Sequence, residues 1–313
     1  MKLRCALTVG IFGIFLSGCS ASVPSSGPSN ASKASAPAAS IPVLTPEQKG
    51  QNLIETLSRH SVQVQSHFEA PGGLRGYIVE AQGKKRGSIV YTSHEGDYLF
   101  SGNIISAKGE NVTQQETETY IDSKLIGEMY GALSDLNYFS QGPDSAPHKL
   151  YIIFDPNCSI CHMVYNLVQP MLASGDLQVR WIPVGIMAQS SVGKAAAILM
   201  GNNDADRMAL LKQDEDQFDL KTESGGIPEL KLDAPTPPSK TNNPPVPPAV
   251  PNSAVAHAFE LVAKNNQYFS DYGFVGTPVF FLEYQNGDKK FFPGFYQGTW
   301  LSEQVNKAGA NWS

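Results

Sequence analysis

Apolar residues along this chain recur in two periods. Over residues 45–57, Leu53, Ile54 and Leu57 share one face of a short amphipathic helix. Thr45, Pro46 and Gln48 supply its opening: a side-chain cap, a proline at the first helical position and a glutamine placed to close a capping box. Strand-like runs follow at Gly76-Tyr77-Ile78-Val79, Ser88-Ile89-Val90-Tyr91-Thr92 and Tyr98-Leu99-Phe100. Gly72-Gly73, Lys84-Lys85 and Glu95-Gly96-Asp97 part them as turn signals. They predict a small helix-plus-antiparallel-sheet domain over residues 45–112. It holds no cluster of His, Cys or carboxylates that signals chemistry, and so reads as a structural or dimerising module. Tyr120, Leu125, Ile126, Met129 and Leu133 then return to helical spacing. They predict a helix over 113–136 that joins two domains, within a linker over 113–145.

From residue 146 to 313 the pattern predicts a strand over 149–154, a helix over 158–174, a strand over 177–184 and a helical stretch over 192–218. A helix over 253–269, strands over 278–284 and 289–293 and a last helix over 299–308 complete the second domain. Strand–helix–strand followed by a hairpin and a helix is the order of a thioredoxin-like domain, here with extra helix in the middle. The class is α+β / α/β. Between the helices, residues 234–251 include Ala234-Pro235-Thr236-Pro237-Pro238 and Asn243-Pro244-Pro245-Val246-Pro247-Pro248. Proline at that density cannot pack as helix or inner strand and predicts an exposed, semi-rigid spacer.

A chain of 313 residues allows about two domains. Its 23 basic and 29 acidic side chains give a net charge of −6, which argues against nucleic acid as a partner. Four cysteines are too few for a disulfide-stapled scaffold. Lys2 and Arg4 precede the apolar stretch Ala6 to Leu16, too short to span a bilayer, and residues 1–18 read as a secretory signal. Leu16-Ser17-Gly18-Cys19 is similar to a bacterial lipobox, in which Cys19 is lipidated. The Ser-, Ala- and Pro-rich residues 19–44 then form a flexible tether. Cys5 leaves with the signal, and Cys158 and Cys161 become the free thiols of the mature chain, in an oxidising compartment.

Those two cysteines carry the chemistry. Cys158-Ser159-Ile160-Cys161 follows the apolar run Leu150–Phe154 and opens a helix, the setting of a thioredoxin-like redox pair. At the helix N-terminus, unpaired N–H groups and the helix dipole favour a thiolate. Cysteines so placed have pKa values of roughly 3.5–7.5 against about 8.5 for a free thiol. Cys158 is therefore expected as the exposed nucleophile. Cys161 precedes Val164 by three residues and shares a face with Leu167, Val168, Met171 and Leu172, so it is expected as the buried, resolving thiol. A zinc site finds no second Cys pair and no paired histidine spacing. His162 either raises the local positive potential and shuttles protons or is a solvated helix residue. Pro170 is expected to kink the helix.

With these motifs the chain resembles the bacterial DsbC/DsbG disulfide-isomerase family, on the DsbG side. Phe68-Glu69-Ala70-Pro71-Gly72-Gly73-Leu74-Arg75-Gly76-Tyr77, Gly102-Asn103 and Lys108-Gly109-Glu110-Asn111 look like its cystatin-like dimerisation domain. Asp155-Pro156-Asn157-Cys158 looks like its active-site opening. Ala195-Ala196-Ala197-Ile198-Leu199 and Ser224-Gly225-Gly226 look like its helical insertion, and Val275-Gly276-Thr277-Pro278 like its proline loop. The resemblance implies a V-shaped homodimer with a shared cleft and a cis Pro278 beside the cysteines, where the backbone of Thr277 pairs with substrate. It implies reduction or isomerisation of misoxidised exported proteins, and reduction of sulfenylated cysteines, with electrons from a DsbD-like membrane donor. It implies no cofactor beyond the dithiol. With the lipobox, the expected place is the periplasm, anchored by lipid, and Ser20 favours the outer membrane. Ser159 and Ile160 stand where DsbG members usually carry Pro-Tyr. This restores an N–H at Ser159 and removes a rigid aromatic neighbour. A DsbA-like thiol oxidase and a chaperone or holding module without redox chemistry are the rival readings.

Overall fold

Thr45 opens the first helix by the expected reciprocal cap. Its hydroxyl accepts the Gln48 N–H at 3.3 Å, and its own N–H donates to the Gln48 side chain at 3.0 Å. The structure is a computed structural model that describes residues 44–232, 253–295 and 298–312. The signal segment, Cys19, the tether as far as residue 43 and the proline-rich stretch 234–251 lie outside the described residues.

Helix α1 (Pro46–Leu57) lies on an antiparallel sheet of four strands in the order β1-β2-β3-β4. These are β1 (Val62–Ala70), β2 (Leu74–Ala81), β3 (Ser88–Ser93) and β4 (Leu99–Phe100). β1 is absent from the sequence expectation. Its alternating apolar positions include only Val62, Val64 and Phe68, an irregularity between Val64 and Ser66 breaks their register, and most of the strand is exposed. Ile54 of α1 packs on Tyr77 and Val79. Close approach here requires Gly50, because a Cβ at that position would collide with the Tyr77 hydroxyl. Gly50→Ala is accordingly expected to lift α1 and to destabilise the protein by roughly 1–3 kcal/mol, readable in urea unfolding. A stabilised variant would contradict this packing.

The residues expected to link two domains form α2 (Val112–Thr117), a π-helical turn over Glu118–Asp122 and α3 (Ser123–Ala132). The far half is not a bare connector. Met129, Tyr130 and Leu133 are fully buried against Tyr151, Ile153 and Phe281 of the second sheet. Arg86 grips Asp122 through two bonds, at 2.6 and 3.1 Å.

The second sheet runs β11-β10-β6-β7-β5. Its strands are β5 (Phe139–Gln141), β6 (His148–Phe154), β7 (Leu177–Pro183), β10 (Val279–Glu283) and β11 (Lys289–Pro293). β6 and β7 are parallel and joined by α4 (Ser159–Ala173); every other pairing is antiparallel. Alternation along β6 sends Leu150, Ile152 and Phe154 into one core with α4, and Tyr151 and Ile153 into the other with α3. Both faces are covered, which is why β6 reads as an unbroken apolar run. α7 (Ser253–Asp271) and α8 (Trp300–Lys307) complete the layers. This is the mixed α+β arrangement of a thioredoxin-like unit.

The insertion expected as one helical stretch is two helices, α5 (Ser191–Leu199) and α6 (Asp204–Gln217). They are followed by a small hairpin of β8 (Phe218–Asp219) and β9 (Ser224–Gly225). Asn203 makes the break by capping α6, its side chain accepting the Asp206 N–H at 2.9 Å.

Candidate redox site at the start of helix α4

Cys158 is the N-cap of α4, with φ −89° and ψ 106°. Its sulfur accepts the Cys161 N–H at 3.3 Å, and as a thiol it donates to the Thr277 carbonyl, also at 3.3 Å. Its pKa falls from the usual thiol range to about 6. A hydrogen bond from the Cys161 thiol is the largest cause. Burial opposes it, while Thr277 and the backbone N–H groups of Cys161 and Ile160 add to it. The backbone donors among these causes are those of residues 160 and 161. Cys161 moves the other way: burial first, then the hydrogen bond and charge of Cys158, push its pKa well up. One sulfur is an anion at neutral pH and the other keeps its proton.

The expectation of an exposed Cys158 is corrected. Both cysteines are only 3% exposed, because the loop carrying Thr277 closes over the first. The Thr277–Pro278 bond is cis. Ser159 is partly exposed and Ile160 is 39% exposed. On α4, Cys161, Val164, Val168 and Leu172 are buried, but Leu167 is exposed, contrary to the sequence reading. It belongs with Ile160 and Met163 on the outer face, at spacings of three and four. Ile186, Met187 and Val275 are also exposed, on the loops that hold the Asp155 contacts and Thr277. The helix continues through Pro170 to Ala173.

Asp155 and Asn157, which the sequence placed in the opening of the active site, are held by partners on α5 and the loop before it that the sequence did not single out. Asp155 is fully buried. One of its oxygens accepts the N–H groups of Ile186 and Met187 at 2.6 and 2.9 Å; the other accepts Ser191 Oγ at 2.7 Å and the Asn157 N–H at 2.8 Å. This carboxylate joins the loop before Cys158 to the loop before α5. Asn157 in turn donates to Ser190 and Ser191 at 3.1 and 2.8 Å and accepts from Lys194 Nζ at 2.7 Å. His162 is buried, which removes its reading as a solvated helix residue. Among the described residues no group of three or more His, Cys, Asp or Glu could hold a metal ion, and no helix is long and apolar enough to cross a membrane.

The depressed pKa of Cys158 makes the stability of the reduced protein depend on pH. An acid that ionises more readily in the folded chain stabilises that chain above its unfolded pKa, and the contribution is lost as pH falls through the folded value. The Cys158 contribution to stability should therefore rise from about pH 6 towards about pH 9. His162 opposes it with a fall, so it is read as the difference between the natural protein and Cys158→Ser. Thermal unfolding under a reductant that is itself not thiol-based reads this directly. Cys158→Ser should lack this rise, and identical profiles for the two proteins would contradict the assignment.

Residues 33–114 match the disulfide bond isomerase protein N-terminal domain family. The thiol:disulfide interchange protein DsbG of Pseudomonas aeruginosa is 30% identical over 146 residues, covering 47% of this chain and 56% of that protein. DsbG of Escherichia coli is 28% identical over 152 residues, 49% of this chain and 60% of that protein. The chain thus spans little more than half the length of these curated relatives. A solved structure of Helicobacter pylori DsbG, 17% identical, aligns over 74% of this chain and 98% of that one with a TM-score of 0.34. In sequence the chain is DsbG-like.

Proposed function

We propose that this protein is a thiol:disulfide interchange enzyme that reduces or isomerises non-native disulfides in exported proteins. The observation that carries the reading is the division of labour between the two sulfurs, with Cys158 capped and acidic and Cys161 buried and protonated one turn on. The Cys158 thiolate attacks one sulfur of a client disulfide. A mixed disulfide forms and the client's other sulfur leaves as thiolate. In reduction, Cys161 gives up its proton and attacks Cys158 Sγ. The client's second thiolate departs, and a Cys158–Cys161 disulfide remains for a DsbD-like membrane donor to reduce. In isomerisation, a different client thiolate attacks the mixed disulfide and returns Cys158 unchanged. With a client sulfenic acid the same thiolate forms the mixed disulfide and displaces the hydroxyl, which leaves as water after taking a proton. The dithiol needs no further cofactor.

The exposed side chains of Ile160, Met163, Leu167, Ile186, Met187 and Val275 fit clients with exposed apolar segments, and Thr277 beside cis Pro278 offers them a backbone edge. These side chains also support the holding-module reading, and the acidity of Cys158 supports the thiol-oxidase reading, since a stabilised thiolate makes the disulfide more oxidising. Alkylation trapping in cells separates the enzymes: a mostly reduced pair supports the isomerase or reductase, and a mostly oxidised pair supports the oxidase. In vitro, Cys161→Ala should accumulate a mixed disulfide with a client. Absence of that adduct would leave the holding module.

The four-stranded sheet serves in this reading as the dimerisation domain over 45–112, followed by the linker 113–145, whose strand β5 already belongs to the second sheet, and the catalytic domain 146–313. Its edge strand β4 has Tyr98, Phe100 and Ile105 exposed around it, a surface suited to a second copy of the chain. Phe100→Glu is expected to shift the mass in sedimentation equilibrium from dimer to monomer. An unchanged mass would exclude this edge. Cys19 is proposed as the lipid attachment point, which holds the enzyme on the periplasmic side of the outer membrane. Loss of labelled fatty acid in Cys19→Ala is the expected result.

A further inference from the structure

We propose that the buried His162–Glu215 pair, assisted by Lys194, makes the α5–α6 insertion a positioning device that holds and acidifies the Cys158 thiolate. This deepens the interchange reading and rests on it.

His162 is 2% exposed and touches the active-site loop twice. Its backbone N–H donates to the Cys158 carbonyl at 3.2 Å, and its Nε2 lies 3.1 Å from the Pro156 carbonyl. A carbonyl only accepts, so Nε2 carries a hydrogen. Nδ1 lies 2.8 Å from Glu215 Oε2, so a second proton sits between imidazole and carboxylate. The Phe218 ring stacks on the imidazole at 3.7 Å between centroids and 19° between planes. Glu215 and Phe218 both come from the insertion, at the end of α6 and the start of β8.

Lys194 grips the next residue of the same loop. Its Nζ reaches Asn157 Oδ1 at 2.7 Å and also donates to the Gly225 carbonyl in β9. The two residues before the nucleophile are therefore held by two cationic side chains that the insertion backs: Pro156 by His162, and Asn157 by Lys194. The charged groups acting on His162 are Glu215 and Asp214 from α6; Lys194 from α5 and Asp155 from the loop act in turn on Asp214. Burial lowers the pKa of His162, but the hydrogen bond and charge of Glu215, then Asp214, raise it further than burial lowers it. The pair thus presents its Nε2–H end to the Pro156 carbonyl, two residues before Cys158, and its carboxylate end lies in the insertion. Positive charge at that end of the pair would favour the thiolate.

Glu215→Gln tests this, because the amide keeps the shape and the hydrogen bond, leaving a neutral His162 still donating to Pro156. His162→Gln is the second variant, with an amide donor and no imidazolium. The readout is the pH dependence of iodoacetamide alkylation at Cys158, with circular dichroism to verify folding. Each variant should raise the alkylation midpoint by about half a pH unit or more, slowing the reaction at least about threefold below the midpoint. A low midpoint in the natural protein that neither folded variant moves would overturn this inference alone. An ordinary thiol midpoint in the natural protein would instead overturn the interchange reading.

Discussion

Cys158→Ser is expected to abolish interchange while leaving the fold in place. Oxygen replaces sulfur at the helix cap, and a serine can still accept the Cys161 N–H that Cys158 accepts at 3.3 Å. Packing therefore changes by one atom. Chemistry changes entirely: a hydroxyl is not ionised at neutral pH and cannot exchange with a disulfide. The rate of insulin or client disulfide reduction should fall by about three orders of magnitude, to the uncatalysed background. Circular dichroism should stay as in the parent. Retention of a tenth of the activity would place the attacking sulfur at Cys161 and reverse the order of the mechanism.

Asp155→Leu is expected to be the most damaging single change outside the cysteines. The carboxylate is fully buried and accepts four bonds, from the backbone of Asn157, Ile186 and Met187 and from Ser191 Oγ. Removing the acceptor leaves those donors buried and unpaired. The protein should lose roughly 3–5 kcal/mol, a large share of the roughly 5–15 kcal/mol that holds an ordinary domain together. The loops before Cys158 and before α5 would also part, so the folded fraction should alkylate with a less acidic profile. Urea unfolding measures the first effect. A loss below about 1 kcal/mol would show that water replaces the carboxylate and that the loop does not depend on it.

The redox helix and the strand before it were legible because their signals are local. Five consecutive apolar residues, a cysteine pair at a helix start and a proline opening a strand need no tertiary knowledge to be read. The supporting network was not legible, because its members come together only in the fold. Asp155 meets Ile186 across 31 positions, and His162 meets Glu215 across 53. In the sequence, Glu215 and Lys194 look like any charged residues of a solvated helix. The exposure of Leu167 illustrates the same limit: spacing groups it with Val164 and Val168, but the helix sets it on the outer face with Ile160 and Met163. Strand β1 was missed for a different reason, since exposed residues and an irregular register blur its alternation. The burial of α3 was missed because Met129, Tyr130 and Leu133 find their partners on the back of the second sheet.

The central claim is that one sulfur, Cys158, is an anion at neutral pH while its neighbour is not. The most direct test alkylates the reduced protein over a range of pH and maps by mass spectrometry which cysteine carries the label. The expected result is an adduct on Cys158 alone at pH 7, with a midpoint near the value of about 6 that its surroundings set. Labelling of Cys161 at that pH, or a midpoint at Cys158 near the roughly 8.5 of a free thiol, would contradict the account.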